Sequence, residues 1–258
     1  MVIEVDIVSK QLIKPTSSTP HNLTTHKLSF LHQFVPSSYY LPTVSFYVNQ
    51  ETSIPPADII ASNSMRSQLL KESLSQTLTL FYPLAGRIKD HLSIACNDEG
   101  AYYVEARVNL PLCAFLNLPD SSYVSQLLPQ SNWTETSAGG YIAVIQVTTF
   151  ACGGIAICTF LSHVIVDAPA ATTFISSWAV LTRKCGEEAP CSNFDASFVF
   201  PQSVACPREA TFLGMVNPFV KKGIWQSRRI VLDASAIASL KPKQQVQVCH
   251  ILHGSRLF

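Results

Sequence analysis

Charge of one sign is what this 258-residue chain has least of: eighteen lysines and arginines face seventeen aspartates and glutamates, a formal charge of +1. A protein that grips a phosphate backbone or an anionic bilayer needs a basic surplus, so nucleic acid and membrane surfaces are not expected as partners. No C-x-x-C pair occurs among the eight cysteines; the spacing of a zinc site is missing, and no metal is expected. The elbow G-x-S-x-G, the phosphate loop G-x-x-x-x-G-K-[ST], the dinucleotide fingerprint G-x-G-x-x-G and the zinc motif H-E-x-x-H are absent as well. The commonest hydrolase, nucleotide-binding and metallopeptidase readings go with them. The opening residues, MVIEVDIVSKQLIKP, alternate apolar and polar side chains without a basic start or an apolar run. They predict a strand rather than a signal peptide, and with it a cytoplasmic protein whose thiols stay reduced. Residues 141–168 are apolar enough to suggest a membrane span, but Gln146, Thr148, Thr149 and the pair Gly153-Gly154 interrupt them. That pattern predicts two buried strands around a turn.

What is present is core. With 47% hydrophobic and 14% charged residues the chain can fill a sizeable interior, so a folded globular class is expected. After the opening strand, Lys14 to Ser29 is rich in Pro, Ser and Thr and reads as an irregular surface crossing, followed by a short helix or turn at LSFLHQF. Pro36 to Gln50 predicts a second strand, at whose entrance Tyr39 and Tyr40 stand as packing residues or as pocket lining. Leu69, Leu70, Leu74, Leu78 and Leu80 recur at helical spacing and predict an amphipathic helix that Pro83 stops. The turn CNDEG predicts a β-hairpin between LSIAC and AYYVEARV, with Asp98 and Glu99 as solvated turn residues. Leu110 to Trp133 reads as mixed helix and loop. The next two apolar strands are followed by a helix with Asp167 or Ala168 near its N-cap, Pro169 in its first turn and Gly186 closing it. A proline-rich linker, a last strand at WQSRRIVLD and a helix start at ASAIASLKPK complete the chain.

The stretch with chemistry in it is CGGIAICTFLSHVIVD, Cys152 to Asp167, where a buried strand ends in a histidine with an aspartate four residues on. A histidine held at a strand end, just before a helix begins, is rigidly oriented and titrates near neutrality, so it can take and return a proton. Spacing alone leaves two readings open: His163 as a base facing a cleft with Asp167 steadying the turn, or His163 as a core histidine beside a helix cap. Ser162 points the opposite way if the strand continues, and Cys158 lies on the same buried run. Neither makes a good nucleophile partner for His163.

The motif sits among longer stretches: YYLPTVSFY, LKESLSQTLTLFYPLAGRI, CNDEGAYYVEA, QVTTFACGGIAICTFLSHVIVDAPAATTFISSWA, FDASFVFP and SRRIVLDASAIASLK. Their content and order, over residues 1–243, resemble the plant BAHD acyltransferases, which move an acyl group from coenzyme A to an alcohol or amine. The resemblance implies an α/β (α+β) fold of the chloramphenicol-acetyltransferase type, a mixed β-sheet flanked by helices. It implies an N-terminal domain over 1–188, a crossover over 189–215 and the incomplete start of a second, similar domain over 216–258. His163 would be the general base, and Asp167 a structural support of the site that pairs with an arginine. Acyl-CoA would be a co-substrate, with no permanently bound cofactor and no assigned coenzyme A-binding residues; the acceptor would be a small-molecule alcohol or amine, and the protein a monomer. Ala168 replaces the glycine common after the aspartate, which leans the acceptor toward alkaloids. The D-F-G-W-G element of the second domain is missing, and QQVQVCHILHGSRLF, after Lys243, leaves the family pattern. A truncated enzyme is therefore expected. The alternative is an inactive fragment that binds acceptor, or that associates with a full-length relative through an uncovered apolar interface.

Overall fold

The alternating N-terminal residues form β1 (Val5–Ile13), and the segment after it is more regular than its composition predicts. A 3-10 turn at His21–Leu23 leads into a short strand, β2 (Thr25–Lys27). A second 3-10 turn, His32–Phe34, precedes β3 (Tyr40–Tyr47), and the leucine spacing becomes α1 (Pro56–Leu80). Past a turn at Tyr82–Ala85 come β4 (Arg87–Ile88), β5 (Ser93–Ala95) and β6 (Ala101–Val108). Then follow α2 (Leu112–Leu116), β7 (Ala143–Phe150), β8 (Ile155–Ser162) and α3 (Ala168–Arg183). A single turn at Ala196–Val199 and a helix at Ala234–Leu240 come last among the described residues. The structure is a computed structural model that describes residues 3–49, 56–118, 121–129, 140–204 and 232–240; the strand predicted at WQSRRIVLD falls mostly outside them.

Five strands form a mixed sheet in the order β1-β6-β7-β8-β3, in which only β6 and β7 run parallel. β7 and β8 are buried along almost their whole length, which is why neither alternates in sequence. One face packs against α1 and α3: Leu70, Leu74 and Leu78 meet Phe174 and Trp178 over Ile145, Val147, Ile157 and Leu161. The other face carries α2, with Leu112 and Phe115 against Val108, Phe150 and Ala156. The architecture is the mixed sheet with flanking helices that the sequence predicts.

The buried stripe of α1 differs from the predicted one in an informative way. Leu80 is exposed, while Ser73 and Thr77 are buried. Their hydroxyls have work in the core. The Trp178 indole N–H donates to Leu70 O and to Ser73 Oγ, both at 3.1 Å, and Ser73 Oγ shares a 2.8 Å hydrogen bond with Thr182 Oγ1. An indole N–H left unpaired in this setting costs about 1–3 kcal/mol. The polar pair therefore fixes how α3 sits on α1.

The predicted hairpin does not form. β5 pairs with β2 and β4 in a separate three-stranded antiparallel sheet, whereas both edges of β6 are taken by β1 and β7. The CNDEG turn carries the chain from one sheet to the other. Asp98 (φ 55) and Gly100 (φ 100) both adopt left-handed backbone, and the Asp98 carboxylate accepts from Thr19 N–H at 2.7 Å and Thr19 Oγ1–H at 2.6 Å. A Cβ on Gly100 would lie 2.4 Å from Ile13 O, so only glycine lets β1 pass. The end of α3 is a second correction: Lys184, at φ 50, is the left-handed cap, and its N–H donates to Leu181 O. Gly186 lies beyond it.

The small sheet also buries His26, edge-on to Phe194 with ring centroids 5.8 Å apart. Burial, with a smaller push from His32, holds its imidazole down to about 4. Unfolded, it titrates near 6.5. As pH falls from about 6.5 to about 4 the unfolded chain takes up a proton that the folded chain refuses, so stability is lost across that window and levels off below it. The contribution is on the order of 3 kcal/mol. Melting temperatures followed by circular dichroism between about pH 7 and pH 4 should fall steeply for the native chain and less steeply for His26→Phe. Equal slopes would refute this account.

Candidate active site

β8 stops at Ser162 because the chain folds back on it: Ile165 N–H and Val166 N–H both donate to Ser162 O, at 3.2 and 3.1 Å. His163 is the last residue in register. Its N–H donates to Tyr39 O at 2.9 Å, extending the β3–β8 ladder by one rung beyond both strands. Alternation along β8 then puts His163 on the side of Ile157, Thr159 and Leu161, the side that α1 and α3 cover. The imidazole is half-buried and stacks on the ring of Tyr39, with centroids 5.6 Å apart and planes 27° apart. Nδ1 is fully buried and has no hydrogen-bond partner among the described residues. The ring edge a substrate can reach is therefore that of Nε2.

Asp167 is the N-cap of α3. With extended backbone (φ −93, ψ 179) its carboxylate accepts the Ala170 N–H at 2.8 Å, and Pro169 follows in the first turn. It is exposed, and among the described residues it makes no ion pair with an arginine. His163 and Asp167 thus leave the same short turn with different partners, one on β3 and the other on α3. Both act electrostatically on His32, whose imidazole is held below its ordinary value by burial first, with Asp167 pulling up and His163 pushing down. His32 Nδ1 lies 3.0 Å from Ser29 Oγ.

Behind Tyr39 lies a buried brace. The Arg87 guanidinium sits 4.2 Å above the Tyr141 ring, pairs through Nε with Glu99 at 3.0 Å, and donates from Nη1 to Gly86 O and Gly100 O. Tyr141 O in turn accepts from the Tyr40 hydroxyl at 2.7 Å. Burial pushes the Tyr40 phenol up to about 12, against the pull of Arg87, so it stays a donor. Sequence reasoning passed over His32 and Arg87, and it left Tyr39 as a packing or pocket residue; no local signal marks its partnership with His163, which the β3–β8 register decides. Ser162 and Cys158 fall on the opposite face of β8 from His163. The Cys158 thiol is pushed up to about 12 by burial, which closes a thiolate role.

Between β3 and α3, on the His163 side of the sheet, runs a groove floored by Thr43, Ser45, Ile157 and Thr159 and walled by Ile175 and Trp178. Thr43 Oγ1 and Thr159 Oγ1 share a 2.6 Å hydrogen bond across its floor. A larger cleft of about 620 Å³, lined in part by Ile59, Lys71, Glu105 and Arg107, opens by Phe150 and Ala151 at the other end of the sheet, remote from His163.

The site is thus a histidine at the end of β8, under α1 and α3, with the aspartate of the H-x-x-x-D spacing capping α3. The family model described as Transferase family matches residues 3–244, and the chain belongs to that family, the BAHD acyltransferases. It is 46% identical over 246 residues to the epi-neemfruitin B 7-O-acetyltransferase of Melia azedarach and 45% identical over 248 residues to the limonoid 7-O-acetyltransferase of Citrus sinensis. Each alignment covers 93% of this chain and 54% of the relative. Salutaridinol 7-O-acetyltransferase of Papaver somniferum is 36% identical over 265 residues, 94% of this chain and 53% of that protein. Among solved structures, vinorine synthase superposes with a TM-score of 0.69 at 32% identity, over 95% of this chain and 57% of its own. TRI101 of F. graminearum, complexed with coenzyme A and T-2 mycotoxin, shares the fold at a TM-score of 0.50 and 14% identity, over 67% of this chain and 41% of its own. The chain spans about half the length of the curated relatives it matches.

The capping geometry makes a prediction for stability. Asp167→Ala should cost about 0.5–2 kcal/mol, read as a lower urea midpoint, while Asp167→Ser or Asp167→Asn should recover most of it. An unchanged midpoint in Asp167→Ala would mean that the cap is not what the carboxylate is for.

Proposed function

We propose that this chain carries the base-bearing half of an acyl-CoA-dependent acyltransferase, one that moves an acyl group, acetyl in the first instance, to a hydroxyl or amine of a plant specialised metabolite. The setting of His163 carries the reading: its backbone N–H is tied to Tyr39 O at the strand end and its ring is stacked on Tyr39, with one ring nitrogen buried and the other edge open. The relatives named as O-acetyltransferases support the acyl group and the hydroxyl acceptor.

In this reading the acceptor oxygen or nitrogen forms a bond to the thioester carbonyl carbon while Nε2 of His163 takes its proton, and the carbonyl π pair moves onto oxygen. When that pair returns, the C–S bond breaks and the thiolate takes the proton from the imidazolium. Coenzyme A thiol leaves, the ester or amide remains, and His163 is neutral again. A positioned base contributes roughly 10²–10⁴-fold, and holding thioester and acceptor together contributes about 7–11 kcal/mol. Asp167 acts at a distance by fixing the first turn of α3. Acyl-CoA comes and goes as co-substrate. The same reading takes residues 1–188 as the motif-bearing domain, 189–215 as a crossover and 216–258 as the start of a second domain, in a cytoplasmic protein.

A specific observation favours a second reading of the isolated chain. Phe198 and Val204 are 82% exposed, Val199 69% and Phe200 45%, all within one short stretch that is tied back to Phe30 and Gln33 by hydrogen bonds. Apolar clusters held at a surface in this way mark a face that another polypeptide covers. By itself the chain is then an inactive fragment that binds acceptor at most, and the covering body is the complementary half, its own or that of a full-length relative. One experiment separates the readings: release of coenzyme A thiol from acetyl-CoA, with pooled secondary alcohols as acceptors, by the chain alone and with the complementary half of a relative added. Turnover should require the added half and should fall about 10²–10⁴-fold in His163→Ala. Turnover by the chain alone overturns the fragment reading; undiminished turnover in His163→Ala overturns the base.

A further inference from the structure

We propose that Tyr39 is the positioning residue of His163, its ring setting the plane of the imidazole and facing the positive charge that the imidazole acquires when it takes the acceptor's proton. The inference rests on His163 being the base. A histidine base is ordinarily oriented by a hydrogen bond that its second ring N–H donates, often to a carboxylate. Here that device is missing among the described residues. Nδ1 is buried without a partner, and the motif carboxylate, Asp167, is occupied by the Ala170 N–H. What does touch the ring is the face of Tyr39, stacked at 5.6 Å and 27°.

That distance lies in the range where aromatic rings hold one another and where a cation over a ring face is attracted by its quadrupole. The attraction is small for neutral imidazole and larger for imidazolium. It therefore strengthens as the proton arrives, which is the property a catalytic support needs. Tyr39 is itself held in place. Its carbonyl accepts the His163 N–H at 2.9 Å, its own N–H donates to Pro36 O, and its neighbour Tyr40 is anchored through Tyr141 to the buried Arg87. The stack thus links the outer end of the β3–β8 ladder to the one buried guanidinium among the described residues.

The test compares three substitutions in the chain supplemented with its complementary half, and reads the chain alone by chemical modification. Tyr39→Phe keeps the ring face and should hold kcat within about two-fold. Tyr39→Leu removes it and should lower kcat about three-fold to thirty-fold with the acceptor KM unchanged. In the unsupplemented chain, ethoxyformylation of His163 by diethyl pyrocarbonate, followed by mass spectrometry with exposed His91 as internal reference, should be faster in Tyr39→Leu and unchanged in Tyr39→Phe. Unchanged modification in Tyr39→Leu, or equal losses in the Phe and Leu variants, overturns the proposal. His163→Ala keeps the two ideas apart. If it retains turnover, the base assignment fails; if it abolishes turnover while Tyr39→Leu keeps full kcat, the role of Tyr39 alone fails.

Discussion

The antiparallel pairing of β3 with β8 is the constraint on which the rest depends. It sets the register in which Tyr40 faces Ser162, and one rung further it clamps the His163 N–H to Tyr39 O. Slip that register by one residue and every side chain of β3 changes face, so that Thr43 and Ser45 leave the groove and the Tyr39 ring leaves the imidazole. The helices reinforce the same choice from above. α3 lies over β8 with its indole N–H bonded to Leu70 O and Ser73 Oγ on α1, and Asp167 starts the helix directly after the motif turn.

Much of this frame is legible in the sequence where local physics decides it. The near-continuous apolar runs of β7 and β8, broken by Gly153-Gly154, can only be central strands, since no face of them is left for water. The glycine pair has two separate reasons: Gly153 takes a positive φ of 78, and a Cβ on Gly154 would lie 2.9 Å from Leu112 Cδ2. Asp167 before Ala-Pro-Ala-Ala reads as a cap because side-chain chemistry and sequence spacing are enough to define one. The place of His163 at a strand end follows from the same run.

What was not legible is what tertiary pairing decides. AYYVEARV and LSIAC look like a hairpin, and nothing in either segment says that β1 and β7 will claim both edges of β6. Thr25–Lys27 is too short and polar to announce itself, and becomes a strand only because β5 offers an edge. Arg87 carries no signal in the sequence; its burial depends on two carbonyls, Glu99 and the face of Tyr141, which the fold gathers around it. The partnership of Tyr39 with His163 is invisible without the strand register, because the two residues lie far apart in sequence.

The topology also governs how the protein is made. The outer strands on both sides of the sheet wait for partners synthesised much later: Ser9 on β1 meets Glu105, 96 residues on, and Thr43 on β3 meets Thr159, 116 residues on. Pairings at such separations close large loops before any contact rewards them, and they fold slowly. While the ribosome is still extending the chain toward β8, β3 is an unpaired apolar edge of the kind that joins other chains. The residue that positions the histidine is thus exposed early in synthesis, and the histidine that covers its ring is among the last parts of the sheet to arrive.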